Sequence, residues 1–377
     1  LECRRKQPMI PLLRPTIDEQ TKQELLQVLD SGWWGQGPKT FEFEKKFADY
    51  VGAKFAIATN SGTAALDLCL KAYGIKGGEL ITSPMTFVAD AIVGEWNGMD
   101  VTFADIDEDS LCLSPKTLEI TQETKAIIVI NSHGRLADID AIREKATIAD
   151  PNGIATFCPL IIEDCAHAMY TPSAGQKGDI AIWSFQAVKT LPTGDGGMIS
   201  TNDEKIYQRL RTLTWLGIEK STYERVEKKR YTWDYDIIQA EGTKAYMNDL
   251  TAVIGIGQLR RLEETNAKRR AIQQMYNTAF CDIPQITIPM YSHTVQYYTM
   301  QCDNRDELSN YLAGKGYATS VHFKVLHKMT YWRKAMKKPL PVADKVWKRL
   351  LTLPVHNALT FQQVEEIITH VKTFYKQ

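Results

Sequence analysis

Between residues 55 and 203 the chain alternates short apolar runs with helical stretches, and this pattern constrains the fold more than any other feature. The runs are Phe55–Thr59, Glu79–Ser83, Val101–Ile106, Ala126–Asn131, Leu160–Asp164, Ile180–Phe185 and Gly197–Thr201. Their apolar character is continuous rather than alternating, as in strands buried on both faces. Helical stretches between strands imply crossover connections. The expected fold class is therefore α/β, a mostly parallel seven-stranded sheet with helices on both faces. Only a loop joins the last two runs, so their pairing is free to differ.

Helix signals fill in the rest. Thr16-x-x-Glu19 after Pro15 reads as a capping box, and Ser114-Pro115 as a cap residue before a proline at the first helical position. Ser61-Gly62-Thr63 precedes the apolar stretch Ala64–Leu70. Residues 219–236 are polar, aromatic and charged and predict a long loop, with Glu227–Arg230 solvated. A helical pattern runs from Leu250 to about Phe280. Strands near 297–302 and 318–323 and helices near 304–314 and 361–375 then predict a smaller α+β domain. The expected division is 10–250 for the large domain and 251–377 for the small one, with the N-terminal segment packing on the small domain. The 377 residues suffice for both.

Composition removes several function classes. The 45 basic and 45 acidic residues cancel, which points away from nucleic acid and membrane surfaces. The apolar runs are too short to span a bilayer, and no signal-peptide pattern opens the chain. Seven scattered cysteines suggest a reducing, cytoplasmic compartment. Cys165 reads as a packing thiol. Residues 1–8 precede Met9 and read as a leader or an added segment. No metal site is expected.

The chemistry centres on Lys189. It sits in SFQAVKTLPTGDGGMIS (184–200), on a Gly-rich turn between two apolar runs, and Asp164 closes the preceding run. A lysine amine forms an imine with an aldehyde, and a carboxylate keeps a pyridine nitrogen protonated. Together they suggest a covalent site for pyridoxal 5'-phosphate. A dry pocket depresses a lysine pKa, which frees the amine to attack and later to move a proton. Gly62 and Thr63 follow the first strand and open a helix, where free N–H groups bind phosphate; a plain capped helix looks the same. Phe87, after the second strand, is either a ring-stacking aromatic or simply core. Ser184 can donate to the phosphate. His167 either bonds a ring oxygen or supports Asp164. These residues follow in order, each near a strand end, which is the edge where open α/β sheets bind ligands.

These motifs closely resemble the DegT/StrS family of sugar aminotransferases, a branch of the aspartate-aminotransferase fold (fold type I). The resemblance starts at Ile10–Leu13 and Ser31–Pro38 and continues through NSGTAAL (60–66), TFVAD (86–90), EDCAHA (163–168) and SFQAVKTLPTGDGG (184–197). It then covers AYMNDLTAVIGIGQL (245–259), SVHFKVLH (320–327) and LPVHNALT (353–360). The resemblance implies a homodimer with shared active sites. It implies an amino group moved from glutamate to a keto group of a nucleotide-linked sugar, 4-keto-6-deoxy or 3-keto, with pyridoxamine 5'-phosphate as the intermediate cofactor form. Lys189 matches the covalent lysine and Asp164 the pyridinium partner. Gly62, Thr63 and Ser184 match phosphate contacts, Phe87 the stacking aromatic, and His167 a position beside the ring. Lys244 stands where an asparagine often reaches the partner's phosphate. Gln186 replaces the usual histidine, Asp195 the usual glutamate, and Tyr170 a glycine. Gln186, Trp34, His322 and His327 are substrate-side candidates, with Trp33 and Trp34 equally readable as a packed pair. A keto-cyclitol or other non-nucleotide ketone as acceptor, or a non-catalytic binding protein on the same fold, are the competing expectations.

Overall fold

The computed structural model describes residues 9–149, 156–227, 233, 235–333 and 338–376. The chain enters through helices α1 (Glu19–Ser31) and α2 (Pro38–Val51). There follow β1 (Phe55–Thr59), α3 (Gly62–Ala72), β2 (Glu79–Thr82), α4 (Ala89–Trp96), β3 (Asp100–Phe103), β4 (Thr124–Ile130) and α5 (Ile139–Ala146). A two-stranded pair, β5 (Ile148–Ala149) and β6 (Thr156–Phe157), precedes β7 (Leu160–Asp164), β8 (Ile180–Ser184) and β9 (Gly197–Thr201). The seven-stranded sheet has the order β1-β9-β8-β7-β4-β2-β3. Its pairs are parallel except those of β9, which runs antiparallel to both β8 and β1. Six strands therefore point one way, and the loop from β8 to β9 folds back over their C-terminal edge.

Burial on both faces explains the apolar runs. Successive strand residues point to opposite faces. Ala126, Ile128 and Ile162 pack with Leu66 and Leu70 of α3 on one face. Ile127, Val129 and Ile161 pack with Ile139 and Ile142 of α5 on the other. At the β1 end, Ala56, Ala58 and Trp183 meet Phe43 and Phe47 of α2.

Downstream come α6 (Glu204–Leu213), α7 (Thr222–Glu227), α8 (Asp249–Arg260) and α9 (Leu262–Phe280). The single helix expected from Leu250 to Phe280 is thus two, broken at Arg261, whose φ of −101° and ψ of 3° leave the helical region. The loop expected over 219–236 contains α7, whose Ser221 and Glu224 cap each other: Ser221 N–H donates to Glu224 Oε2 at 2.7 Å and Glu224 N–H to Ser221 Oγ at 3.3 Å. Within the charged run 227–230, only Glu227 lies among the described residues. A second sheet joins β10 (Ile286–Thr287), β11 (Tyr298–Cys302) and β12 (Leu350–Leu353), flanked by α10 (Arg305–Gly314), α11 (Pro341–Arg349) and α12 (Phe361–Lys376). The strand expected near 318–323 is not one. Ser320 makes an isolated bridge to Thr352, and β12 takes the place beside β11.

Two caps differ from expectation. Helix α1 begins after Asp18, whose carboxylate accepts the Thr21 N–H at 2.8 Å; Thr16 only lends its carbonyl to Gln258 at 2.7 Å. Pro115–Thr117 is a single 3₁₀ turn, and Ser114 makes no side-chain cap.

Helix α8 packs Ala252 and Ile256 against Phe43 and Phe47. Helix α9 starts in that core at Leu262 and ends in a second one, where Ile272, Tyr276 and Phe280 meet β11, β12 and α12. Helix α9 thus carries the chain from the first core to the second. The N-terminal segment joins the second core through Ile10, which bridges to Tyr317.

One carboxylate ties α8 to α2. The α2 N-cap, Gly37, has no side chain to offer. Asp249 accepts from the N–H groups of Gly37 (2.9 Å), Lys39 (3.1 Å) and Thr40 (2.9 Å), and from the Thr40 hydroxyl (2.7 Å). Removing a buried, charge-assisted cap leaves several donors unpaired. Asp249→Ala should lower unfolding stability by about 2–4 kcal/mol, read as a shifted urea midpoint, whereas Asp249→Asn should lose less.

Candidate active site

The C-terminal strand edge holds a cavity of about 390 Å³. Its floor and walls include Gly62, Thr63, Phe87, Asp164, His167, Ser184, Gln186, Lys189 and His322, all expected from the sequence. Two hollows are larger, about 710 Å³ between α2 and α6 and about 810 Å³ where β7 and β8 begin. Neither contains a lysine facing a buried carboxylate pair, and the second lies at the opposite edge of the sheet.

Each wall has a local cause. Ser61 caps α3 by accepting the Ala64 N–H at 3.1 Å. The N–H groups of Gly62 and Thr63, in the first turn, precede any intrahelical acceptor, so they face the cavity as an anion cradle. A Cβ on Gly62 would stand 2.9 Å from Ser184 Cβ and 3.2 Å from Ser184 Oγ. Glycine is what lets α3 start against the end of β8. Phe87 is 56% exposed at the mouth, with its ring centroid 6.4 Å from that of Phe323.

Lys189 is half-buried on the β8–β9 loop, held by its own N–H to the Gln186 carbonyl at 2.8 Å. Desolvation lowers its pKa to about 8, against the opposing pull of Asp164 and Asp90. Asp164 ends β7 at 4% exposure, and its Oδ1 accepts the Ala166 N–H at 2.7 Å. Burial raises its pKa, offset by the neighbouring Asp90 side chain, the Ala166 N–H and Lys189.

The histidines here are kept neutral. Burial, then the Lys189 charge, holds His167 well below the usual imidazole range, and burial drops His322 to about 4. His167 Nδ1 faces the His133 N–H at 3.5 Å, and Phe323 stacks on its ring at 5.6 Å. That leaves His167 Nε2, in the neutral ring, as a buried donor without a partner. His322 stacks on Tyr297 at 3.9 Å and shares a hydrogen bond with Thr352 at 3.0 Å.

The residues present fit pyridoxal phosphate. An anion cradle, a neutralisable amine, a buried carboxylate and an orphaned donor line one cavity of suitable size. Three expected residues lie elsewhere. Trp34 is 53% exposed and donates to the Leu29 carbonyl at 3.1 Å, in a separate hollow with Trp215 and Tyr246. His327 is buried against Asp344, its Nε2 2.9 Å from the carboxylate, and does not line this cavity. Lys244 is exposed over Trp215, 5.7 Å from the ring centroid, and does not line its own chain's cavity. Among the lining or adjoining residues given no role from the sequence are Thr86, Asp90 and Tyr297, while Phe323 lies in the segment around His322 to His327 expected on the substrate side. For Asp90 a signal existed, an acid inside the apolar stretch Val88–Val93; the two aromatics arrive from far along the chain.

No helix among the described residues is long and apolar enough to cross a membrane. The model of the DegT/DnrJ/EryC1/StrS aminotransferase family matches residues 15–372. The spore coat polysaccharide biosynthesis protein SpsC of Bacillus subtilis is 37% identical over 388 aligned residues, covering 97% of each chain. Among solved structures, the aminotransferase TlmJ from Streptoalloteichus hindustanus superposes with a TM-score of 0.87 at 28% identity, covering 97% of this chain and 98% of that one. DesI, solved in the presence of its TDP-sugar product, gives 0.86 at 27%, covering 99% and 94%. The fold is that of the type I pyridoxal-phosphate-dependent aminotransferases. The chain belongs to the DegT/DnrJ/EryC1/StrS family and is a pyridoxal-phosphate-dependent sugar aminotransferase.

Proposed function

We propose that this enzyme moves an amino group from glutamate to the keto group of a nucleotide-linked sugar. The observation that carries the reading is the shared cavity: Lys189, with its amine pKa brought to about 8, lies in one pocket with the buried Asp164 carboxylate. The likeness to a structure holding a TDP-sugar product supports the acceptor class. Pyridoxal phosphate, when bound, supplies an aldehyde that carries the amino group and a ring that accepts electron density. Lys189 Nζ would hold that aldehyde covalently and, once released, carry a proton to and from the substrate carbon. Asp164 would face the ring nitrogen and keep it protonated. Gly62, Thr63 and Ser184 would hold the phosphate, Phe87 would cover the ring face, and His167 Nε2 would donate to the ring oxygen. Gln186 and His322 line the same cavity and would meet the substrate.

The active enzyme is proposed to be a cytoplasmic homodimer. Leu216, Ile237 and Ile238 leave apolar side chains in solvent, at 44%, 61% and 54% exposure, on the segment that leads to Lys244. A second copy covering them would bring its Lys244 toward the phosphate.

Lys189→Ala should abolish turnover and the imine absorbance while leaving thermal unfolding intact; retained turnover would overturn the assignment. In the wild type, uptake of the aldehyde should strengthen as pH rises through about 8, because only the neutral amine attacks. Absorbance titration reads this directly. Asp164→Asn should lower turnover by about 100-fold or more.

Mixing inactive Lys189→Ala chains with Lys244→Ala chains tests the shared site. Hybrid dimers contain one site with both lysines, so activity should reappear on mixing. Coupled assays with glutamate and a panel of keto-sugar nucleotides should release 2-oxoglutarate; release only with non-nucleotide ketones would move the acceptor to that class.

A further inference from the structure

Asp90 is a carboxyl in the cavity to which the proposed function gives no task. It sits in the first turn of α4, 1% exposed. Its Oδ2 accepts the Thr86 hydroxyl at 2.7 Å, and its carboxyl lines the same cavity as the buried carboxyl of Asp164. Two ionised carboxylates side by side in a buried site repel each other, and one proton held between them removes that cost. The surroundings decide which of the two carries it. Asp164 has a backbone donor, Ala166 N–H at 2.7 Å, whereas Asp90 has a neutral hydroxyl. The α4 N-terminus favours an ionised Asp90, but a second negative charge beside Asp164 in a buried site costs more. The other titratable groups facing the pair are Lys189 from the β8–β9 loop and His167 and His322, both histidines being neutral.

We propose that Asp90 is a positioning residue: a protonated carboxylic acid, oriented by Thr86, that donates to Asp164. It would fix the carboxylate that meets the ring nitrogen and hold the pair at one negative charge, matching one pyridinium N–H. Burial and the Asp164 charge, in that order, push the Asp90 acid well above the ordinary carboxylate range, in keeping with this. The role rests on the proposed function; the shared proton does not.

Two measurements separate these. In the cofactor-free full chain, an acid whose folded pKa is raised contributes stability that is complete below its unfolded value of about 4 and is lost as pH climbs toward the raised value. Wild-type Tm should therefore fall relative to Asp90→Asn as pH rises above about 5. The infrared carbonyl band of a buried protonated carboxyl should be present in wild type and absent in Asp90→Asn. Parallel Tm curves with no such band would overturn the shared proton. With pyridoxal phosphate, Asp90→Asn keeps a donor for Asp164 and should bind within about threefold of wild type, while Asp90→Ala should bind about tenfold more weakly. Equal affinities in all three would overturn the positioning role. A wild type that takes up no pyridoxal phosphate would sink the proposed function while the Tm and infrared signatures still report on the proton.

Discussion

One antiparallel strand in an otherwise parallel sheet organises the active site. Because β1, β2, β4, β7 and β8 run the same way, their C-terminal ends share an edge. Strand β9 must then enter the sheet from that edge, so the chain between β8 and β9 crosses directly over it. Lys189 rides on this crossing. Gly62 at the end of β1, Asp164 at the end of β7 and Ser184 at the end of β8 are brought to it by strand direction alone. Gly197 permits the crossing to close, since a Cβ there would stand 2.6 Å from the backbone of Ser61.

The second constraint is electrostatic. The cavity is dry enough to lower the Lys189 pKa, and the same burial holds the neighbouring imidazoles uncharged. The groups that can carry charge in this cavity are therefore the Lys189 amine and the Asp164 and Asp90 carboxyls, and the Lys189 amine and the Asp164 carboxyl each favour the charged form of the other.

Much of this was legible in the sequence. Strands β1, β7 and β9 have the boundaries expected, because buried strands announce themselves by unbroken apolar residues that end at polar or glycine positions. The Lys189, Asp164 and Gly62 placements follow from strand ends and a glycine-rich turn. The misses have physical reasons. Asp90 stands out as an acid inside an apolar stretch, but nothing local to it marks Asp164, 74 positions on in the sequence, as its neighbour in the cavity. Tyr297 and Phe323 line the cavity from segments more than 100 positions beyond Lys189, and Tyr297 carries no local pattern. The capping box Ser221-x-x-Glu224 was in plain view inside a stretch whose composition suggested a loop. His327 and Trp34 do not line this chain's cavity: His327 Nε2 meets the Asp344 carboxylate and Trp34 donates to the Leu29 carbonyl.

The central claim is that the amine of Lys189 and the carboxylate of Asp164 grip opposite ends of one pyridine ring. Crystals grown with pyridoxal phosphate test it most directly. The account predicts continuous electron density from Lys189 Nζ to the aldehyde carbon, with an Asp164 oxygen within hydrogen-bonding distance of the ring nitrogen. A ring bound at the α3 terminus but turned so that its nitrogen faces solvent or another side chain would contradict it.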